Sequence, residues 1–202
     1  MITAWTTLLI LLAFGALAFG WRSWLQWRRT GSTGFRGLSG RVGSSEWNGG
    51  ALLIVALALS VAAPLVIIAG VIDPWPAPVG VTAVAGVLLA VGFVGTLAAQ
   101  LSMGESWRIG VDASERTDLV ASGLFRVSRN PIFTSMLLFL AGLALVLPTI
   151  VSALAFALAL IGLEIQVRLV EEPYLTKTHR DAYLTYAARV GRFLPMIGRL
   201  RG

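Results

Sequence analysis

The chain has 202 residues, of which 56% are hydrophobic and 13% charged, with a net charge of +6 and no cysteine. So little charge excludes a disordered chain, and the lack of cysteine excludes disulfide-stapled domains, zinc–cysteine sites and thiol nucleophiles. A soluble domain of this length has too small a core to bury so much apolar surface, so the composition indicates an integral membrane protein.

Long apolar runs predict the membrane-spanning helices. The uncharged stretches are residues 1–21, 47–72, 74–104 and 130–163. A helix needs about 20 apolar residues to cross the hydrocarbon core, so each of the first three stretches predicts one span. These spans cover roughly residues 2–20, 50–72 and 79–102.

The last uncharged stretch is too long for one ordinary span and contains Pro148 near its middle. We expect two short helices, about 132–147 and 149–170, joined by a turn at Pro148, because proline interrupts a helix. One long helix kinked at Pro148 is the alternative. The predicted fold is all-α: a polytopic membrane bundle of about five transmembrane helices, with a helical hairpin at Pro148 and a cytosolic C-terminal helix.

The charges predict the orientation of these spans. Five spans with an outside N-terminus place all 16 Lys and Arg residues on one side and leave Asp73 on the other. Basic loops are typical of the cytosolic side, so we expect a multi-pass membrane protein with its N-terminus outside and its C-terminus cytosolic. The basic residues then indicate contact with anionic membrane lipids and not with nucleic acid.

The segment before the predicted hairpin ends in Asn130 and Pro131. Asn is a good N-cap and Pro suits the first helical position, so a helix is expected to start here. Its positive dipole end would face the cytosolic interface and favour an anionic group, such as a ligand carboxylate. Helix capping by itself also explains this pair.

A charged cluster marks the end of the fifth predicted span. Arg168, Glu171 and Glu172 are spaced i, i+3, i+4, which places them on one face of a helix. Ionisable groups at the inner end of a span usually face a polar cavity or each other. The cluster therefore predicts either a polar site or a local ion pair.

An ordered set of motifs resembles the isoprenylcysteine carboxyl methyltransferase family, which includes phospholipid methyltransferase-like membrane enzymes. The set begins with Gly-x-Phe-(x)3-Arg-Asn-Pro-x-Phe at residues 123–133. After an apolar hairpin come Arg-(x)2-Glu-Glu at 168–172, Tyr-x-x-Tyr at 183–186 and Arg-Phe-x-Pro at 192–195. The resemblance covers roughly residues 104–195.

We expect residues 1–103 to form N-terminal transmembrane helices with a basic cytosolic loop, and the resemblance implies a methyltransferase-like catalytic half in residues 104–202. That half would hold S-adenosylmethionine at the cytosolic face, while a lipid-like acceptor enters sideways from the bilayer. The implied cofactor-binding residues are Gly123, Phe125, Arg129, Asn130, Pro131, Phe133, Glu172, Tyr183 and Tyr186. The family often has His at the place of Asn130 and Tyr at the place of Phe133.

The implied catalytic residues are Arg168, Glu171 and Glu172. Either carboxylate would take a proton from an amine or thiol acceptor, and Arg168 would hold an anionic head group with two hydrogen bonds. No metal is expected to take part.

The predicted function is S-adenosylmethionine-dependent methyl transfer to a membrane-embedded amphiphile. The favoured acceptor is the carboxylate of a prenylated cysteine or of an isoprenoid-like molecule. A phospholipid amine and a small thiol are the alternatives. Two other classes stay open: a small nicotinamide-dependent membrane reductase, and a non-enzymatic membrane scaffold or transporter subunit.

Overall fold

The structure, a computed structural model, describes residues 1–34, 37–104, 107 and 119–200. Within these ranges every regular element is a helix, which confirms the predicted all-α class. The α-helices are α1 (Ile2–Gly15), α2 (Arg22–Thr30), α3 (Ser45–Ile68), α4 (Val79–Ser102), α5 (Pro131–Val146), α6 (Ile150–Ile165), α7 (Glu172–His179) and α8 (Asp181–Arg189). Two π-helical segments, Ala16–Trp21 and Gln166–Glu171, continue α1 into α2 and α6 into α7.

Four helical stretches of the described chain are long and apolar enough to cross a membrane. They are Thr3–Thr30, Ser45–Ile68, Val79–Ser102 and Ile150–His179. Helix α5 is also apolar but has only 16 residues, or about 24 Å at 1.5 Å per residue. The multi-pass helical bundle is thus confirmed, with four apolar helices of full spanning length and a fifth that is shorter.

The chain breaks at Pro148 into two helices and does not continue as one kinked helix. Helix α5 ends at Val146, and α6 begins at Ile150 with the Thr149 hydroxyl accepting a hydrogen bond of 3.1 Å from the backbone N–H of Ser152. The Pro148 carbonyl accepts a 2.8 Å bond from the N–H of Trp75, in the connection between α3 and α4. The predicted hairpin is confirmed, and its turn is joined to the neighbouring turn.

Glycines let the helices pack closely in antiparallel pairs. Gly92 of α4 lies against the backbone of Phe139 in α5, and Gly142 of α5 lies against Leu89 in α4. The pair α3 and α6 meets where Gly162 approaches the carbonyl of Gly49. Without a hydrophobic force between helices in lipid, close backbone approach at small residues supplies the packing energy.

The α3–α4 and α5–α6 connections lie together at one end of the bundle, and the basic segments lie at the other. The first end contains residues 69–78, with Asp73, and 147–149. The second end contains the starts of α3 and α5, the ends of α4 and α6, and α2, α7 and α8. Every described Lys and Arg belongs to this second end, hereafter the basic end.

At the basic end the predicted C-terminal helix is divided in two. Helix α7 ends at His179 and α8 starts at Asp181, because Arg180 between them adopts a φ of 48°. A positive φ is disfavoured for a residue with a side chain, so the helix cannot continue through it. The break directs α8 back toward the bundle, where Tyr183 and Tyr186 become buried.

Gly92 and Gly86 provide a matched test of this packing. A Cβ added at Gly92 would lie 2.7 Å from the Phe139 Cα, whereas one at Gly86 would meet nothing within 4 Å. We expect Gly92→Ala to lower the stability of the detergent-solubilised protein by about 1–3 kcal/mol, as overpacking does. Gly86→Ala should be neutral or slightly stabilising, because Ala is the better helix former. Equal stability of the two variants by thermal unfolding would contradict the close α4–α5 contact.

Candidate functional site

A cavity of about 490 Å³ lies at the basic end and extends between the helices. This volume is in the range of small-molecule and cofactor pockets, about 300–1,000 Å³. Most of the predicted site residues line it, namely Phe125, Arg129, Asn130, Pro131, Phe133, Glu171, Glu172, Tyr183 and Tyr186. Gly123 and Arg168 are not part of the lining.

The start of α5 borders the cavity, and Asn130 stands at its N-cap position, as expected, but without a capping hydrogen bond from its side chain. Pro131 is the first helical residue, as expected, and the Asn130 side chain accepts no hydrogen bond from the first turn. Its Nδ2 instead donates a 3.0 Å bond to the carbonyl of Arg192. The free N–H groups of the helix start are therefore left for another partner, and they favour an anion.

Glu172 joins two arginines at the centre of the site. Its carboxylate accepts bonds of 2.7 and 2.9 Å from Nε and Nη2 of Arg192, and Arg129 Nη2 lies 3.0 Å from its Oε1. The three side chains form an Arg–Glu–Arg cluster that is 2–13% exposed. Two positive charges against one negative charge leave a net charge of +1 beside the cavity.

This cluster makes Glu172 a residue that holds other side chains. The two hydrogen bonds from Arg192 to the Glu172 carboxylate are charge-assisted and directional, and the ion pair with Arg129 adds to them, so the carboxylate fixes both arginine side chains in place. The Glu172 carboxylate also raises the pKa of Arg192 by accepting its hydrogen bonds. Arg192 was not among the residues expected in the site, although it opens the Arg-Phe-x-Pro motif.

The two tyrosines of α8 keep their protons. Burial raises the pKa of Tyr183, and it raises the pKa of Tyr186 to about 12. The Tyr186 hydroxyl donates a 2.6 Å bond to the carbonyl of Phe125, which ties α8 to the short 3₁₀ turn before α5. The Tyr183 oxygen accepts a 3.0 Å bond from Arg129, so its own proton can be donated to a ligand in the cavity.

Comparison with known proteins identifies the family. The profile of the phospholipid methyltransferase family matches residues 81–182, just over half of the chain. The chain belongs to the phospholipid methyltransferase family. This family and the isoprenylcysteine carboxyl methyltransferases lie in one superfamily of membrane methyltransferases. No curated protein and no solved structure matches the chain significantly.

The match to the phospholipid methyltransferase family runs from α4 into α8 and includes Arg129, Asn130 and Glu172. It stops before Arg192, which completes the Arg–Glu–Arg cluster, and before Tyr183, which accepts a hydrogen bond from Arg129. The family indicates a membrane methyltransferase, and the candidate site includes residues that follow the matched region.

The C-terminal segment 190–198 closes over the start of α5. The backbone N–H of Arg129 donates a 2.9 Å bond to the carbonyl of Gly191, and Arg129 Nη2 donates a 2.7 Å bond to that of Gly198. A Cβ at Gly191 would collide with the Leu194 carbonyl, so the turn needs a glycine there. Only tertiary folding brings this segment to the site.

Arg168 lies apart from the other predicted site residues. Its side chain is 54% exposed and forms an ion pair with Glu164, four residues earlier. The intervening segment is π-helical, and its wider turn removes the alignment that i, i+3 spacing would give Arg168 and Glu171 in an α-helix. Glu171 lines the cavity, whereas Arg168 does not.

Two further polar residues, Gln100 and Gln166, line the cavity. Gln166 belongs to the polar set between Glu164 and Glu172 that ends the fifth predicted span, whereas Gln100 lies in an uncharged run and no motif marks it. The described residues contain no cluster of three or more His, Asp and Glu side chains that could hold a metal ion.

Glu172 and Glu164 allow a matched test of the charged cluster. Glu172→Gln removes the carboxylate that two buried arginines share, and breaking a buried ion pair costs about 3–5 kcal/mol. Glu164→Gln removes an exposed i, i+4 pair, for which the loss should be below about 1 kcal/mol. Unfolding of both variants in detergent measures the difference. Similar losses would show that the cluster does not hold the C-terminal segment in place.

Proposed function

We propose that this membrane methyltransferase uses S-adenosylmethionine to methylate a lipid head group inside the cavity at the basic end. The observation that carries the proposal is that a single cavity joins a polar region to an apolar one. Arg129, Asn130 and Tyr183 line the first, while Leu53 and Leu140 line the second. A polar cofactor and the tail of an amphiphile can therefore occupy one connected space.

The polar region has the chemistry that the cofactor needs. The net positive charge of the Arg–Glu–Arg cluster and the free N–H groups at the start of α5 suit the carboxylate of the amino acid part. The Tyr183 hydroxyl offers a hydrogen bond, and the rings of Phe125 and Phe133 offer apolar surface for an adenine base. Asn130 stands where the related family often has His, and its amide retains hydrogen-bonding capacity.

The apolar region reaches the surface that faces lipid. Ile54 and Leu57 of α3 line the cavity and are also 56% and 40% exposed. Because these residues lie inside a membrane-spanning helix, their exposed surface faces acyl chains. An acceptor tail can enter between helices at this point without leaving the bilayer.

Among acceptors, a phospholipid amine fits the family to which the chain belongs. Such an amine must lose a proton before it attacks, and the Glu171 carboxylate lines the cavity and can accept it. The carboxylate of a prenylated cysteine, which the motif resemblance favours, is the competing acceptor and needs no base. Arg168 has no part in this proposal because it lies outside the cavity.

The cofactor supplies a methyl group activated on a sulfonium. The chain holds the acceptor nitrogen in line with that methyl, excludes water with the apolar walls, and takes up the released proton. The acceptor gains an N–C bond as the S–C bond breaks, and S-adenosylhomocysteine is the second product. Glu171, whose carboxylate lines the cavity, is the proposed proton acceptor.

Calorimetry and a methyl-transfer assay on the purified protein test the proposal. We expect binding of S-adenosylmethionine but not of NADPH, and transfer of a labelled methyl group to phosphatidylethanolamine in nanodiscs. Asn130→Ala should lower cofactor affinity by about ten-fold, through loss of a positioned hydrogen bond. Transfer to a prenylated cysteine instead would reassign the acceptor. Binding of NADPH alone would overturn the methyltransferase proposal.

We also propose that the basic end faces the cytosol and the N-terminus the outside. The support is that every described Lys and Arg lies at that end. Ala77→Cys, in the connection between α3 and α4, should react with an impermeant maleimide on intact cells. Val42 lies at the basic end and is 82% exposed. A cysteine at this position, Val42→Cys, should react only after permeabilisation. The chain has no cysteine of its own, so the reverse labelling pattern would overturn the orientation directly.

A further inference from the structure

Two carboxamide side chains lie in the wall of the cavity within membrane-spanning helices. Gln100 is in the last turn of α4, and Gln166 follows the last residue of α6. They are 1% and 8% exposed, and both line the cavity. The Gln100 Oε1 has no hydrogen-bond partner, and neither side chain bonds to another described residue.

Other polar side chains of the same helices are satisfied locally. Thr96 Oγ1, one turn before Gln100, donates a 2.8 Å bond to the carbonyl of Gly92, and Ser60 Oγ does the same to Ala56. A buried carboxamide without a partner destabilises the fold, because it has lost its hydrogen bonds to water. The unpaired Gln100 oxygen therefore cannot be explained by the stability of the empty protein, and the place of both glutamines in the cavity wall points to a ligand.

Their depth indicates which part of a ligand they would meet. Both stand at the ends of spans, between the charged cluster of Arg129 and Glu172 and the apolar wall around Leu140. This level borders the polar region of the cavity, where the head group of a bound amphiphile would lie. A carboxamide oxygen accepts hydrogen bonds from N–H groups, and rotation of the amide lets either its O or its N face the cavity.

We propose that Gln100 and Gln166 bind the N–H groups of the acceptor amine and so determine how many methyl groups the enzyme tolerates on its substrate. The inference rests on the proposed function, since it assumes an amine acceptor in this cavity. Each methyl transfer replaces one N–H donor by a methyl group, which a carboxamide cannot bind. Affinity then falls with every step, and the fully methylated lipid is released most easily.

Lipid binding to the full-length protein tests the inference separately from catalysis. Native mass spectrometry in detergent, with one lipid added at a time, compares dioleoylphosphatidylethanolamine with its N-methyl, N,N-dimethyl and N,N,N-trimethyl forms. The variants are Gln100→Met and Gln166→Met, which keep the size of the side chain and remove its polar atoms. Thr96→Val is the control, because Thr96 is buried in the same helix as Gln100 but does not line the cavity.

For the wild type we expect affinity to fall in the order of increasing methylation. Each Gln→Met variant should bind phosphatidylethanolamine about ten-fold more weakly and lose most of this order, while its affinity for S-adenosylmethionine stays unchanged. Thr96→Val should retain the order. Gln100→Met should also unfold at a higher temperature when empty, which a merely structural role would not produce.

Three results would overturn the inference: no preference in the wild type, an unchanged preference in both variants, or weaker lipid binding accompanied by lower thermal stability. The proposed function fails in a different way. If the lipids bind in the expected order but no methyl group is transferred from S-adenosylmethionine, the result supports the proposed amine site and contradicts the proposed methyl transfer.

Discussion

The carboxylate of Glu172, shared between Arg129 and Arg192, is the interaction on which the rest of the site depends. It joins the segment before α5, the start of α7 and the C-terminal segment at one nearly buried point. A buried charge without partners costs several kcal/mol, so these three parts of the chain have to come together. Once they do, the backbone of Gly191 pairs with Arg129, and Tyr183 packs beside the same guanidinium.

The membrane explains why the site could form at this end of the bundle. In hydrocarbon every backbone polar group must be satisfied within the protein, so the spans are regular helices packed through glycines. The irregular parts accumulate where the spans end. Two π-helical segments, Ala16–Trp21 and Gln166–Glu171, contribute Phe19, Gln166 and Glu171 to the cavity lining. Such wider turns are frequent at functional sites because they alter which side chains point inward.

The cavity has a polar side and an apolar side. Its polar side is held rigid by charged hydrogen bonds, and its apolar side is a gap between helices that reaches the lipid-facing surface at Ile54. A water-soluble cofactor and a lipid have to meet in any enzyme that methylates a membrane amphiphile. Gln100 and Gln166, which line the cavity between these sides, are placed where the proposed head group and cofactor would meet.

Much of the fold could be predicted because it depends on local properties of the chain. The lengths of the apolar runs determined the helices, since lipid leaves the backbone no other partner than itself. Pro148 determined the hairpin, because it cannot donate the hydrogen bond that a continuous helix requires. The ordered motifs around Asn130, Glu172 and Tyr183 indicated the methyltransferase superfamily, and most of their residues do line one cavity.

The partners of the charged and polar side chains were decided by the tertiary structure alone. The spacing of Arg168 and Glu172 predicted a shared face, but Glu172 bonds to Arg192, 20 positions later in the chain, and Arg168 bonds to Glu164. Asn130 looked like a helix cap and instead donates to the carbonyl of Arg192. These hydrogen-bond and ion-pair partners depend on the directions in which the π-helical turn and the break at Arg180 send the following segments of the chain. Such directions result from packing between elements distant in sequence, which no local pattern encodes.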